Sequence, residues 1–254
     1  MGRSSLSEPY LLSPHVHVCV AGKHVVLLDL ERDKYLSVEP AHRLSRWVKG
    51  WPVAEPPGVS TPPPDPAARS SGGRVPEDGL LSRMIAQGML VTDPKIGKAA
   101  VPVVTTRPET SLLEFDLDTP LAATAVHLGH FLMAYAGAKS ALQLRSIKAV
   151  VGAASRRRAR TETRAAASPA ELGKVRGLVG AFLYLRPVFF TARQACLLDS
   201  LTLLNFLARY RIFPQWVFGV TANPFYAHCW VQQGDAVFND TPDFVRGFTP
   251  ILVV

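Results

Sequence analysis

Cysteine is scarce in this chain, with three residues in 254. Three is an odd number and too few for a disulfide framework, so at least one thiol is free and a reducing, cytoplasmic setting is expected. Long apolar runs are missing too. The opening MGRSSLSEPYLLSP has no apolar signal core, and Leu6 stands where a myristoylation pattern needs Ser or Thr. Residues 121–138 are the longest mostly apolar stretch. His127 and His130 interrupt it, which fits a buried helix better than a span, so no membrane partner is expected. There is no internal repeat. Acidic charge runs short in one place: between Lys139 and Arg176 ten Lys or Arg face two acidic residues, which accounts for the whole net charge of +8. That segment, centred on SRRRARTETR, reads as a solvated helix face or loop. It lacks the interleaved aromatics of a nucleic-acid contact, so no nucleic-acid partner is expected.

Metal ligands are also sparse. His15, His17 and Cys19 share one face of a probable strand, but same-face neighbours lie about 7 Å apart, too far to share an ion comfortably. With no second ligand pair in view, no metal and no cofactor are expected.

What is present lies near the C-terminus. Cys196 opens a leucine-rich helix in TARQACLLDSLTLLNFLARY, His228 follows on a probable strand, FYAHCWVQQ, and Asp240 closes the next, AVFND. A thiol becomes a useful nucleophile when a helix N-terminus and an imidazolium depress its pKa, and the imidazolium in turn wants a carboxylate. Thr191 reads as the N-cap of a helix beginning near Ala192, which places Cys196 in its first turn or so. Its leucines should bury that helix and hold the thiol on a rigid element.

Strand alternation puts His228, Trp230 and Gln232 on one face and Ala227, Cys229 and Val231 on the other, so Cys229 should point away from His228 and Cys229→Ala should be nearly silent. A two-residue turn through Gly234 and Asp235 would set Asp240 opposite Cys229. A three-residue connection, 233–235, or a bulge that imitates it, sets Asp240 opposite His228, and a catalytic triad requires that register. Taken singly, these residues read as a buried cysteine, a structural histidine and an ordinary turn. Taken together and in order, they read as nucleophile, base and orienting carboxylate.

From Arg186 onward the segment closely resembles the leader peptidase of lasso-peptide biosynthesis, a transglutaminase-like cysteine protease. The features that carry the resemblance are Arg186-Pro187 before the helix, the Cys-Leu-x-x-Ser-Leu run, the Pro-Phe-x-Ala-His-x-Trp strand and Asn239-Asp240. Cys229 departs from the pattern, where Ala or another small residue is expected. The resemblance implies Cys196, His228 and Asp240 as the triad; for the oxyanion, the chemistry points to the Cys196 N–H and a side chain, with Gln194 the candidate. It also implies two partners, the leader segment of a precursor peptide and a separate asparagine-synthetase-like macrolactam cyclase. A transglutaminase-like acyltransferase shares the acyl-enzyme, and a non-enzymatic winged-helix regulator is the reading from another class.

The first 95 residues read as a smaller module. HVHVCV, HVVLLDL and KYLSV are three short strands separated by turns at 21–23 and 31–32, followed by a helix over 40–49, a Pro-rich loop over 51–76 and a helix over 80–87 closed by Gly88. This pattern resembles the winged-helix precursor-peptide recognition element, related to the peptide chaperone of pyrroloquinoline-quinone biosynthesis. There the leader adds as a strand to a sheet edge and packs on a helix. The resemblance places leader contacts at Lys34, Tyr35, Leu36 and Val38 on the third strand and at Leu81, Met84 and Ile85 on the helix.

After a linker over 96–110, residues 111–254 should hold a strand over 112–117, helices over 121–135, 142–153 and 170–185, and then the nucleophile helix and its strands. The expected class is α+β: a winged-helix-like recognition module followed by a transglutaminase-like or papain-like cysteine protease domain.

Overall fold

A computed structural model of the protein describes residues 9–39, 44–52, 79–114, 121–160, 169–189 and 195–254. The chain divides into two compact units, 1–29 with 34–102 and 30–33 with 103–254.

The first unit is built on an antiparallel meander of β2 (Val16–Ala21), β3 (His24–Asp29) and β4 (Lys34–Val38), in that spatial order. β-Branched residues favour the strands, and their alternation brings Val16, Val18, Val25 and Leu27 into one core with Leu81 and Met84 of α1 (Gly79–Ala86). A short ladder of β1 (Leu11–Leu12) with β5 (Leu90–Val91) packs beside it. The helix expected over 40–49 is not formed in its described part. Residues 44–49 are turns, because Trp47 and Lys49 hydrogen-bond Tyr10 across a parallel bridge instead of continuing a helix. Most of the Pro-rich loop expected over 51–76, from residue 53 on, lies outside the described residues.

Of the segment expected as a linker, 96–110, the first part packs in this unit. Lys98 bridges Leu12, and Ala100 is fully buried and donates to Lys49.

In the second unit, β6 (Thr110–Ser111) is followed by a 3-10 turn over Leu112–Glu114 where a strand over 112–117 was expected; residues 115–120 lie outside the described set. Four helices come next: α2 (Leu121–Leu144), α3 (Ile147–Ala159), α4 (Pro169–Leu185) and α5 (Cys196–Ala208). α2 runs two turns beyond its expected end, and α3 starts later, where Ser146 caps it by accepting from the Ala149 N–H.

The sheet has the order β10 (Thr249–Val253), β7 (Gln215–Ala222), β8 (Phe225–Gln233), β9 (Ala236–Val237), β6, antiparallel except for β6 with β9. Leu203, Phe206 and Leu207 of α5 are wholly buried among Phe131 of α2, Phe182 of α4 and Val231 of β8. A second cluster on the other face joins Val217, Trp230, Val237 and Phe248 with Val245 of α6 (Pro242–Val245). The nucleophile helix is therefore fixed by packing on several sides, as a rigid site requires. Among the described residues, no helix is long and apolar enough to cross a membrane.

Candidate active site

Cys196 is the first residue of α5, with Ala195 at the cap, and Asp199 N–H to Ala195 O (2.8 Å) is the first helical bond. The helix thus starts later than expected. Thr191 and Gln194, on which the N-cap and oxyanion expectations were placed, lie outside the described residues. The N–H groups of Cys196, Leu197 and Leu198 have no helical acceptor in this first turn, and their partial positive charge favours a thiolate.

His228 sits on β8, opposite Gly219 of β7. Its ring stacks near Trp230 (5.2 to 6.2 Å separates it from its aromatic neighbours), meets Phe244 edge-on and lies tilted against Phe248. A Cβ on Gly219 would come within 2.9 Å of the Trp230 ring and 2.8 Å of Phe248, so only glycine lets these aromatics close over the strand and frame the imidazole. Asp240 Oδ2 lies 2.7 Å from His228 Nε2, and Asp240 Oδ1 accepts from the Thr241 N–H, which fixes the carboxylate.

This contact is made in an unexpected register. Gln233 pairs with Ala236, so the turn is the two-residue Gly234-Asp235, with Gly234 at φ +60, and not the three-residue connection the triad demanded. Continued regularly, it would turn Asp240 away from His228. The ladder stops instead. Phe238 N–H still donates to Val231 O, but Val231 N–H is taken by the Asn239 side-chain oxygen and not by a strand backbone. The chain bends at 238–240 and delivers Asp240 to the histidine.

Asn239 does a second job. Its amide donates to Asp199 Oδ2 (2.7 Å), and Asp199 also takes an ion pair from Arg186 at 3.4 Å. Asp199 is 1 % exposed on α5, so its carboxylate needs both partners. Burial raises its pKa against the opposing pull of Arg186 and Asn239. The network ties the first turns of the nucleophile helix to the bend that carries Asp240. Its one sequence signal is an acid in a leucine-rich helix, together with the Arg186 and Asn239 that mark the motifs.

Cys229 is the other neighbour missed from sequence. Its side chain does lie on the α5 side of the sheet, where Ser200 Oγ approaches at 3.3 Å, but Cys196 sits there too. Past the end of β9, no strand among the described residues pairs with this edge of β8. Cys229 N–H, two residues from Val231 and pointing to the same edge, hydrogen-bonds the Cys196 sulfur. The Cys229 thiol hydrogen-bonds it as well. That thiol bond, the His228 hydrogen bond and charge, and the Cys229 N–H together outweigh burial and bring Cys196 down to about 4. Burial, followed by the hydrogen bond to Cys196 and then by the Cys196 charge, pushes Cys229 well up, so it stays a protonated donor. Burial pulls His228 down, yet its bonds to Asp240 and Cys196 and the charges of both raise it to about 9. With Nε2 held by Asp240, Nδ1 is the ring nitrogen left for the thiol. At neutral pH the pair is a thiolate beside an imidazolium.

The expected silence of Cys229→Ala is revised accordingly. Removing that donor should raise the acid limb of the pH–kcat/KM profile while leaving the basic limb in place. An acid limb that does not move would show that His228 and the helix terminus alone set the thiolate.

The proposed leader-binding residues separate by burial. Val38, Leu81 and Met84 are core residues at 2 % exposure or less, used up in packing the first unit. Lys34, Tyr35, Leu36 and Ile85 keep exposed or half-buried side chains. β4 is an edge strand of its sheet. No group of three or more His, Cys, Asp or Glu among the described residues is placed to hold a metal ion.

No curated protein and no solved structure matches the chain. A family model does match residues 138–253, from within α2 to β10, and its description is the transglutaminase-like superfamily. That span, part of the second unit, contains Cys196 at a helix start and His228 and Asp240 at the sheet, so it is residues 138–253 that are similar to the transglutaminase-like superfamily.

Proposed function

We propose that this chain is a cytoplasmic cysteine peptidase that binds the leader of a ribosomally made lasso-peptide precursor and hydrolyses the leader–core bond. The freed core amine would then serve macrolactam formation by a separate asparagine-synthetase-like cyclase. The observation that carries the peptidase chemistry is the bonded series of Cys196, His228 and Asp240, with Nε2 to Oδ2 at 2.7 Å. The superfamily includes cysteine proteases and acyltransferases. The leader specificity rests on the sequence resemblance.

The chemistry follows from the charge state. The Cys196 thiolate adds to the scissile carbonyl carbon, and the Cys196 N–H at the helix terminus is placed to stabilise the oxyanion. Collapse of the adduct breaks the C–N bond, while the His228 imidazolium gives its proton to the departing core amine. This leaves a leader thioester and neutral His228. The imidazole then takes a proton from water as the hydroxyl adds to the thioester, and breaking the C–S bond releases the leader carboxylate and restores the thiolate. Asp240 holds the ring and stabilises its charged form in each half.

Incubating the full chain with a precursor peptide and measuring masses tests this. Hydrolysis gives two fragments whose masses sum to the precursor plus one water. Transfer to an amine gives a product joined to that amine and would establish the acyltransferase, and an unchanged precursor would reject both.

Leader recognition is tested on the same chain with proline at Tyr35 or at Leu36. Adjacent residues send their N–H groups to opposite sides of β4, so one substitution strikes the β3 pairing and the other the open edge. The edge variant should lose about tenfold or more in leader affinity by fluorescence anisotropy, with folding retained. Unchanged affinity in both variants would reject strand addition at β4.

A further inference from the structure

A groove of about 590 Å³ opens in the second unit between α2, α3 and the C-terminal half of α5. Its α5 residues, Leu201 to Ala208, lie roughly 8 to 18 Å along the helix axis from Cys196, so it is separate from the site above. Much of its floor is small or apolar, with Gly137, Ala141, Ala153, Ala154 and Ala208 leaving room for a close approach. Met133 (50 % exposed) and Leu144 (83 %) stand at its lip as large apolar side chains in water.

Charge marks the same groove. Arg145, Arg157, Arg158 and Arg209 line it, and no Asp or Glu does among the described residues. Arg157 is anchored to Asn205 Oδ1 at 2.7 Å and Arg158 to the Val254 carbonyl at 3.1 Å, which fixes two guanidiniums of the Arg-rich run against the wall. That run, read from sequence as a solvated face, thus turns part of its charge toward an apolar cleft. We propose that the groove docks an acidic amphipathic helix of a partner protein, with leucine- or phenylalanine-type side chains entering between α2 and α3 and carboxylates meeting Arg145 and Arg209 at the rim. A nucleic-acid backbone would satisfy the arginines but leave the apolar floor uncovered. A helix face carrying i, i+3, i+4, i+7 anchors with flanking acids covers both.

The test uses the full chain and fluorescein-labelled synthetic helical peptides with Leu or Phe anchors at that spacing and Glu elsewhere. Matched peptides with Lys in place of Glu serve as controls, and binding is read by anisotropy. The acidic peptides should bind saturably and at least about tenfold more tightly than the Lys peptides, and raising salt from about 0.05 to about 0.5 M should weaken them about tenfold or more. Ala154→Phe, which fills the cleft, and Arg145→Glu, which reverses its rim, should each cost about tenfold in affinity, with thermal melting and precursor cleavage unchanged. If Ala154→Phe alone fails to fold, Arg145→Glu decides the matter through its reversed preference for the Lys peptide. Absent or charge-indifferent binding would overturn the proposal. So would displacement of the peptides by duplex DNA that itself binds Ala154→Phe normally, because the surface would then be a nucleic-acid contact.

Discussion

Cys196→Ala is expected to abolish precursor cleavage and to leave leader affinity where it was. Among the described residues at the start of α5, the Cys196 thiolate is the group that can form the acyl bond, and its partners His228 and Cys229 act through it. Members of such a constellation contribute about 10⁴-fold or more to turnover, and removing the nucleophile removes the step itself. The residues proposed to hold the leader belong to the first unit, so binding should not register the change. Cleavage measured by mass spectrometry over long incubations, alongside anisotropy with a labelled leader, separates the two. Residual turnover above about a hundredth of wild type would mean that another group attacks.

Asp240→Asn should give the second large effect, a fall in turnover of about 10- to 100-fold at neutral pH with little change in substrate affinity. An amide can keep the ring in place but not stabilise its positive charge. The loss is smaller than in a serine enzyme because a thiol ionises more readily than a hydroxyl. The pH profile carries the sharper signature. In the wild type, kcat/KM should rise through about 4 as Cys196 loses its proton and fall through about 9 as His228 loses its own. Asp240 raises the His228 value, so removing its charge shifts the basic limb to lower pH. At the acid limb the imidazolium is charged both before and after Cys196 loses its proton, and Asp240 is not among the groups that lower Cys196, so that limb should hold and the bell should narrow from the basic side. Unchanged turnover with unshifted limbs would remove Asp240 from the mechanism and leave Cys196 and His228 as a dyad.

Local pattern accounts for much of what the sequence reveals. The β-branched alternation of VHVCVA, HVVLLD and KYLSV marks three strands because period two is a local property of the pleat. The leucines of CLLDSLTLLNFLA mark a buried helix for a similar reason. The order of Cys196, His228 and Asp240 was open to reading as well, since a nucleophile, a base and a carboxylate are demanded by the chemistry whatever the fold. Leader contacts were less legible, because an apolar residue at a given period looks the same whether it faces the core, as Val38, Leu81 and Met84 do, or a peptide. Helix boundaries slipped too. Nothing local fixed the start of α5 at Cys196, or carried α2 through Leu144.

The chain alone therefore determined which groups are available for chemistry and which stretches become strands or buried helices. Only the tertiary structure decided how those groups meet. Hairpin counting from Gly234 would send Asp240 to the wrong face, and no local rule reveals that Asn239 replaces a backbone partner of Val231 while reaching Asp199 on α5. The same holds for Cys229, which strand alternation turns away from His228 but whose N–H and thiol meet Cys196 at the edge of β8 past the end of β9. Periodicity is a property of neighbours along the chain, whereas a broken ladder and a shared thiolate depend on elements packed together from distant positions, where satisfying buried polar groups outweighs continuing a regular strand.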